Sequence, residues 1–483
     1  MTPFETAVLA IIKSGLYGGP AGPLPGQKEA QGTEQIAVQG DEQSTKQNAP
    51  PGAKQNAAQN SQPNAEPNAT QSAPPAAAQK AEQNTNQNTE KIAPQTAGQI
   101  AKPGAGPNTT PGLALGSAFN WQQLLKIGQQ HQITPLLYYG LVHAKIKMPP
   151  AVEAALYKVT VSAVLITQNQ QHALKAVCRA FEQNGICYLP LKGAVLQQLY
   201  AKPEQRLMSD ADLLIKPEQY EKIKTILIDL GFLEGQESNH ELIWHKPGAL
   251  HLELHKMLIP SYNRDYFAYY GNGWKLAKPT KTSRFCFSPE DEFIYLFTHF
   301  AKHYRDGGIG LKHAVDLYVF TNANPALNQS YILAELKKLQ LLSFYQNISA
   351  MLRCWFSGEG ENKVTGFLTQ KIFQSGAYGT PKGHVIAQGT KTAKSVSTKN
   401  VRAKKLLQMV FLPYSGMAQR YPVLKKAPVL LPLFWVVRWA DTLVFHRSHI
   451  RRQQKVLQTL KQKEIENYQQ QLNFVGLDFN FKE

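Results

Sequence analysis

Apolar residues recur at helical spacing toward both ends of the chain and at strand spacing only in its middle. Residues 3–14 form an amphipathic pattern interrupted by Lys13. Helical periodicity is then lost until Phe119, where Trp121, Leu124, Leu125 and Ile127, followed by Leu136, Leu137 and Leu141, restore it. A longer amphipathic stretch over 151–183 ends at Asn184-Gly185, a helix stop. Between 186 and 287 the texture changes to short strands interleaved with helices. Residues 187–191 read as a strand, Lys192-Gly193-Ala194 opens a helix running to Tyr200, and Ala211–Ile215 reads as a second strand. Pro217 starts a helix that stops near Gly231, and two further strands are expected at 241–245 and 250–255. Ser288-Pro289-Glu290-Asp291 then supplies an N-cap, a proline at the first helical position and early acids. Beyond it the chain reads as helix, apart from a Gly/Thr/Ser/Lys-rich loop at 376–400, and it ends in a basic helix over about 438–471. The pattern predicts an α+β fold. A small core at 186–287 sits among helical regions at 1–18, 113–185, 288–375 and 401–483.

Composition changes this picture in one place. Residues 19–112 are built from Gln, Asn, Ala, Pro, Gly, Thr and Ser, without a single aromatic residue. Such a stretch buries too little apolar surface to offset its ordering entropy, so it is expected to be disordered. Its near-repeats, such as Lys54-Gln55-Asn56-Ala57, lack the hydrophobic face a solenoid unit needs. The net charge is +18, yet this tract carries six Lys against seven Asp or Glu, so the remainder holds the whole excess. A basic surface suits an anionic partner: a nucleoside triphosphate, a nucleic acid or an acidic membrane. The four cysteines (Cys178, Cys187, Cys286, Cys354) form no CxxC pair, which excludes a zinc ribbon or a disulfide framework and points to a reducing compartment. The N-terminus lacks the basic leader of a signal peptide. The most apolar late run, 429–437, is too short to span a bilayer and contains Pro432. A cytoplasmic protein without a transmembrane segment is expected.

The chemistry concentrates at Asp210-Ala211-Asp212. Strand geometry puts the two carboxylates on one side and Ala211 on the other. Paired carboxylates repel and call for a cation, and hard oxygen ligands at this spacing suit Mg²⁺, with Mn²⁺ as the alternative. Leu213-Leu214-Ile215 carries the strand into a core, leaving the acids at its exposed end. Some forty residues on, His251-Leu252-Glu253-Leu254-His255 alternates so that the histidines and Glu253 share the polar face. If the two strands are neighbours, Glu253 becomes a third acid beside the pair, enough to hold two metal ions. Upstream, Lys192-Gly193 stands at a strand-to-helix junction, where free N–H groups, close backbone approach and a lysine charge favour phosphate. Arg206, four residues before Asp210, is placed to neutralise the carboxylates or touch the phosphates.

These motifs, with Tyr200, Ser209 and Leu213-Leu214-Ile215, resemble an uncharacterised bacterial nucleotidyltransferase family related to the DNA polymerase beta superfamily. The resemblance implies a small mixed sheet flanked by helices that transfers a nucleoside monophosphate from an NTP to an acceptor. Asp210, Asp212 and Glu253 would be catalytic and metal-binding, and Lys192, Gly193 and Arg206 nucleotide-binding. It extends to residues 119–141, which makes the low-complexity tract an insertion after the first helix. It also extends to His299-Phe300-Ala301-Lys302-His303 with Gly310-Leu311-Lys312 and Asp316-Leu317, and to the stretch from Tyr421-Pro422 to Arg438. On this basis His255, His299, His303 and Lys312 are expected to line the pocket. The chain departs from the common Gly-Ser or Gly-Gly turn by having Lys192-Gly193-Ala194, which leaves the triphosphate to backbone N–H groups and Lys192.

Other readings compete. His251, Glu253 and His255 are a candidate zinc set, with His240 and His245 nearby in sequence. His299 and His303, four apart, share one helix face and are also consistent with a structural pair. Asp316 fits a residue that orients a basic neighbour. The basic run 446–452 reads as a solvated face or as an RNA or anionic-membrane contact. Beside the enzyme stand two alternatives: a degenerate nucleotidyltransferase fold used for binding or scaffolding, and a nucleic-acid-binding protein. The acceptor, whether small molecule, protein or RNA, is not specified by any motif.

Overall fold

The alternation in the middle of the chain closes into a five-stranded mixed sheet. In the computed structural model its strands are β1 (Tyr188–Leu191), β2 (Ala211–Ile215), β3 (Leu233–Glu237), β4 (Glu241–Lys246) and β5 (Leu250–His255). The spatial order is β1-β2-β5-β4-β3. Only the β2–β5 pair is parallel; β1–β2, β4–β5 and β3–β4 are antiparallel. The structure describes residues 1–17, 115–116, 118–238, 240–261, 263–390, 403, 407, 410–412, 414–421, 423–445 and 462–477. The low-complexity tract at 19–112, residues 391–400 of the expected loop, and the basic run 446–452 lie outside these residues.

Strand alternation sorts the sheet into two faces. Ala211, Leu213 and Ile215 of β2, Leu250, Leu252 and Leu254 of β5, and Leu242 and Trp244 of β4 pack into one apolar cluster. That cluster is covered by Ala173, Val177 and Phe181 of α4 (Pro150–Gln183) and by Ile223 and Leu227 of α6 (Tyr220–Asp229). By length and composition α4 resembles a membrane span, yet its second half is fastened to this core. Asp212 and Glu253 point to the opposite face. β3 escapes the hydrophobic pattern because it is an edge strand, Leu-Glu-Gly-Gln-Glu, exposed along its whole length.

Helices enclose that second face. Helix α1 (Pro3–Tyr17) packs on α3 (Thr134–His143), which follows α2 (Trp121–Gln130). The α1–α3 approach is close enough to require glycine, since a Cβ on Gly140 would lie 2.0 Å from the Ile11 carbonyl oxygen. Helix α8 (Pro289–Asp306), next after the short α7 (Arg264–Tyr270), starts as its sequence dictates, with the Ser288 hydroxyl accepting from the Asp291 N–H at 3.1 Å. Helix α9 (Leu311–Ala323) follows after Gly307 and Gly308, both at positive φ.

Two local expectations are corrected. The helix expected from Lys192 to Tyr200 is a single turn, α5 (Gly193–Leu196), followed by 3₁₀ turns at Gln197–Leu199 and Pro203–Gln205. A single turn adds little aligned dipole to a phosphate site. In the stretch read as a loop, Pro381–Thr390 is helical, with His384 Nδ1 lying 2.6 Å from the Asp306 carbonyl oxygen and Nε2 2.9 Å from the Tyr378 carbonyl oxygen. Glycine and threonine lower helix propensity there, and this packing against the end of α8 overrides them.

Candidate active site

The parallel pairing of β2 with β5 sets Asp212 directly opposite Glu253. Both side chains project from the sheet face away from the apolar cluster, and Asp210 stands one step before β2. The three acids lie in a cavity of about 230 Å³ that is also lined by Lys192, Gly193, Arg206, His255, His299 and His303. Lys312 is not on its wall; it lies behind Tyr378, a wall residue.

Asp212 is the buried centre of the site, 3% exposed. The acids were expected at the exposed end of a strand, but surrounding helices roof this end over. Its Oδ1 accepts from Lys192 Nζ at 2.7 Å and from His255 Nε2 at 2.7 Å. Burial alone would raise the Asp212 pKa, but the Lys192 charge and the His255 hydrogen bond outweigh it and hold the carboxyl well below its usual range. The reverse holds for its neighbours. Desolvation, and then the charge of Asp212, raise the Asp210 carboxyl. Desolvation, with Asp210 and Asp212, raises Glu253. Three acids crowd one site, and a cation is the direct way to relieve them.

One ligand atom each of Asp212, Glu253 and His255 lie within 4.8 Å of one another. This grouping, with Asp210 alongside, fits a divalent cation bound mainly through carboxylate oxygens. The zinc set is not assembled, because His251 is exposed at the outer end of β5 with its ring stacked on His245 at 6.1 Å, outside the cavity.

Lys192 reaches Asp212 from a backbone that non-glycine residues rarely adopt, φ 46° and ψ −112°. Gly193 follows because there is no room for a side chain; a Cβ would lie 2.8 Å from Arg206 Nη1 and 3.0 Å from Met208 Cγ. Arg206 lines the cavity but does not neutralise Asp210 or Asp212. Its Nε and Nη2 donate to Asp316 at 3.2 and 3.0 Å, and the Tyr200 hydroxyl donates to the same carboxylate at 2.8 Å. All three are buried, so the guanidinium is spent on a closed network that fixes the floor beneath Gly193. The segment leading to Asp210 is held by Gln170 Nε2 on the Met208 carbonyl (2.9 Å) and by Gln205 Nε2 on the Gly15 carbonyl (2.9 Å).

His299 and His303 form part of the opposite wall, Nε2 to Nε2 at 3.0 Å. Burial, with the charges of nearby Lys192 and Lys302, pushes both well below the usual histidine value, so they stand neutral. Sequence reasoning missed Tyr378, His313, His240 and Glu241 on the cavity wall. Tyr378 comes from the segment read as a flexible loop. Its hydroxyl meets Ser209 Oγ at 3.1 Å and accepts from Lys312 Nζ at 3.3 Å. Lys312 is 2% exposed, donates to Gln132 Oε1 at 2.6 Å, and burial with the Arg206 charge lowers its pKa to about 7. An aromatic residue within a glycine-rich stretch was the available signal for Tyr378. The packing that brings it home is a backbone contact between Gly379 and Gly307, where a Cβ on Gly379 would lie 2.5 Å from the Gly307 oxygen.

Residues 117–357 match the model of a family described as uncharacterised nucleotidyltransferase. No curated protein and no solved structure matches the chain.

Proposed function

We propose, from the premise that the chain belongs to the uncharacterised nucleotidyltransferase family, that it transfers a nucleoside monophosphate from an NTP to an acceptor in a Mg²⁺-dependent reaction releasing pyrophosphate. The acceptor oxygen forms the new bond to the α-phosphorus, the bond from that phosphorus to the β-phosphate oxygen breaks, and the acceptor proton leaves to a base. The observation that carries this reading is the Asp212–Glu253 register across β2 and β5, with Asp210 beside them. A bound divalent cation supplies charge neutralisation for the triphosphate and acidifies the attacking hydroxyl.

The chain's own residues divide the remaining work. Asp210 and Asp212 hold the cation, and Glu253 either shares it or receives the acceptor proton. Lys192 compensates Asp212 in the free protein and stands near enough to turn its charge toward the incoming phosphates. Gly193 keeps the turn open to close approach of a phosphate. Arg206, locked by Asp316, acts as a positioning residue for that turn. His299 and His303, neutral, offer hydrogen bonds to the nucleotide or acceptor on the facing wall.

One observation favours a second reading, a binding module without turnover. Asp212 already has its charge matched by Lys192 and accepts a hydrogen bond from His255, an arrangement that holds without metal. The test is incubation of the full chain with each α-labelled NTP and Mg²⁺ together with fractionated small molecules, proteins and RNA. Label transferred to one fraction with pyrophosphate released, and lost in Asp210→Asn, supports the enzyme. Metal-dependent nucleotide binding without transfer or pyrophosphate would support the binding module.

A further inference from the structure

The helix at Leu431–Phe445 turns its aliphatic side outward. Val429, just before it, is 84% exposed, and Leu433, Val436 and Val437 are 57%, 54% and 44% exposed. Positions 429, 433, 436, 437 and 440 recur at the spacing of one helix face, and every one is apolar. The inner side holds the aromatic rings. Phe434 and Trp435 pack on Met417, Ala418 and Leu424, and the Trp435 indole N–H donates to the Leu412 carbonyl at 2.9 Å. A helix of a water-facing domain shows the opposite arrangement, polar outside and apolar inside. Leu407, Val410 and Val423 are exposed as well, and an exposed apolar face marks an interaction site.

Charge selects the occupant. From Val401 to Lys461 the sequence has twelve Lys and Arg and a single acid, Asp441. A second copy of the chain would bring the same positive charge against itself. A nucleic acid would use the charge but leave the aliphatic face in water. An anionic bilayer uses both, through headgroup attraction and burial of the apolar face among acyl chains. Arg438 and Asp441 fall within the helix, and charged side chains are costly in the hydrocarbon core, so the helix would lie in the interface and not cross it.

We propose that the face formed by Val429, Leu433, Val436 and Val437, carried on a stretch of sequence rich in Lys and Arg, docks the protein on an anionic lipid bilayer. The inference is independent of the nucleotide site. The test is flotation of the full chain with vesicles of phosphatidylcholine alone and of phosphatidylcholine mixed with phosphatidylglycerol, at low and high salt. Binding is expected to rise at least about tenfold on the anionic vesicles and to weaken with salt. Leu433→Gln/Val436→Gln is expected to lower it about tenfold while thermal unfolding and nucleotide titration stay unchanged. Equal binding by the variant, or no preference for anionic vesicles, overturns the proposal. So does RNA binding without vesicle binding, or self-association abolished by the same variant in a protein that ignores vesicles.

Discussion

The floor and the roof of the acidic cavity are built by different means. The floor is a pair of adjacent parallel strands whose register alone sets Asp212 against Glu253, with the apolar cluster beneath to hold both strands still. The roof is assembled from separate helices and a short loop: His299 and His303 on α8, His313 on α9, and Tyr378 from a segment some sixty residues further on, with Lys312 of α9 behind it. A floor made by strand pairing fixes charged atoms over a short range and tolerates little change. A roof made of hydrogen bonds among polar side chains adjusts. The floor therefore holds the acids in fixed register, and the roof supplies hydrogen-bonding groups around them.

This contrast can be broken most severely at Asp212. Asp212→Asn leaves Lys192 and His255 without their shared carboxylate and removes a metal ligand. Transfer is expected to fall by about 10²- to 10³-fold or more, the scale of losing one preorganised charge. Stability should drop by about 1–3 kcal/mol because the half-buried Lys192 loses its buried partner. Asp210→Asn should cost similar activity with little stability, so thermal melts and label-transfer rates of the two variants separate the roles.

Gly193→Ala tests the floor through packing instead of charge. Its Cβ would press on a guanidinium that Asp316 pins, so relaxation is restricted. A loss of about 1–3 kcal/mol is expected, together with weaker nucleotide binding by calorimetry. Unchanged binding would mean that the turn does not approach the ligand.

The roof gives smaller effects. Lys312 has a folded pKa of about 7 against an ordinary value of 10.5. The unfolded chain therefore binds the extra proton between these values, so this residue's contribution to stability rises with pH from about 7 to about 10.5 and is lost as pH falls through 7. Lys312→Met should flatten that segment of the stability–pH curve measured by denaturant titration. Smallest of all, Tyr378→Phe removes the hydroxyl shared with Ser209 and Lys312. It should cost about 0.5–1.5 kcal/mol in binding, seen as a several-fold rise in KM with kcat nearly unchanged.

The floor was legible in the sequence for the same reason that it is rigid. Period-two alternation over Asp210-Ala211-Asp212 and His251 to His255 assigns faces without knowledge of the rest of the fold. What it left conditional was the adjacency of the two strands, which the structure supplies. Where local pattern competes with distant packing, the local reading is incomplete. Arg206 lies four residues from Asp210 in sequence, but a buried aspartate on α9, 110 residues away, captures it. The turn after Gly193 was read as a helix because its residues are good helix formers, yet the chain must bend at once to return under α4. Tyr378 was hidden because glycine-rich composition signals mobility, and here glycines serve close backbone contact between two loops.

The central claim is that the three acids hold a divalent cation that brings a nucleotide with it. Isothermal titration of ATP, GTP, CTP and UTP into the full chain, with and without Mg²⁺, beside Asp210→Asn/Asp212→Asn, tests it most directly. The account predicts binding of at least one NTP that requires Mg²⁺ and disappears in the double variant. Binding that persists in a folded double variant, or no NTP binding by the unaltered protein, would contradict it.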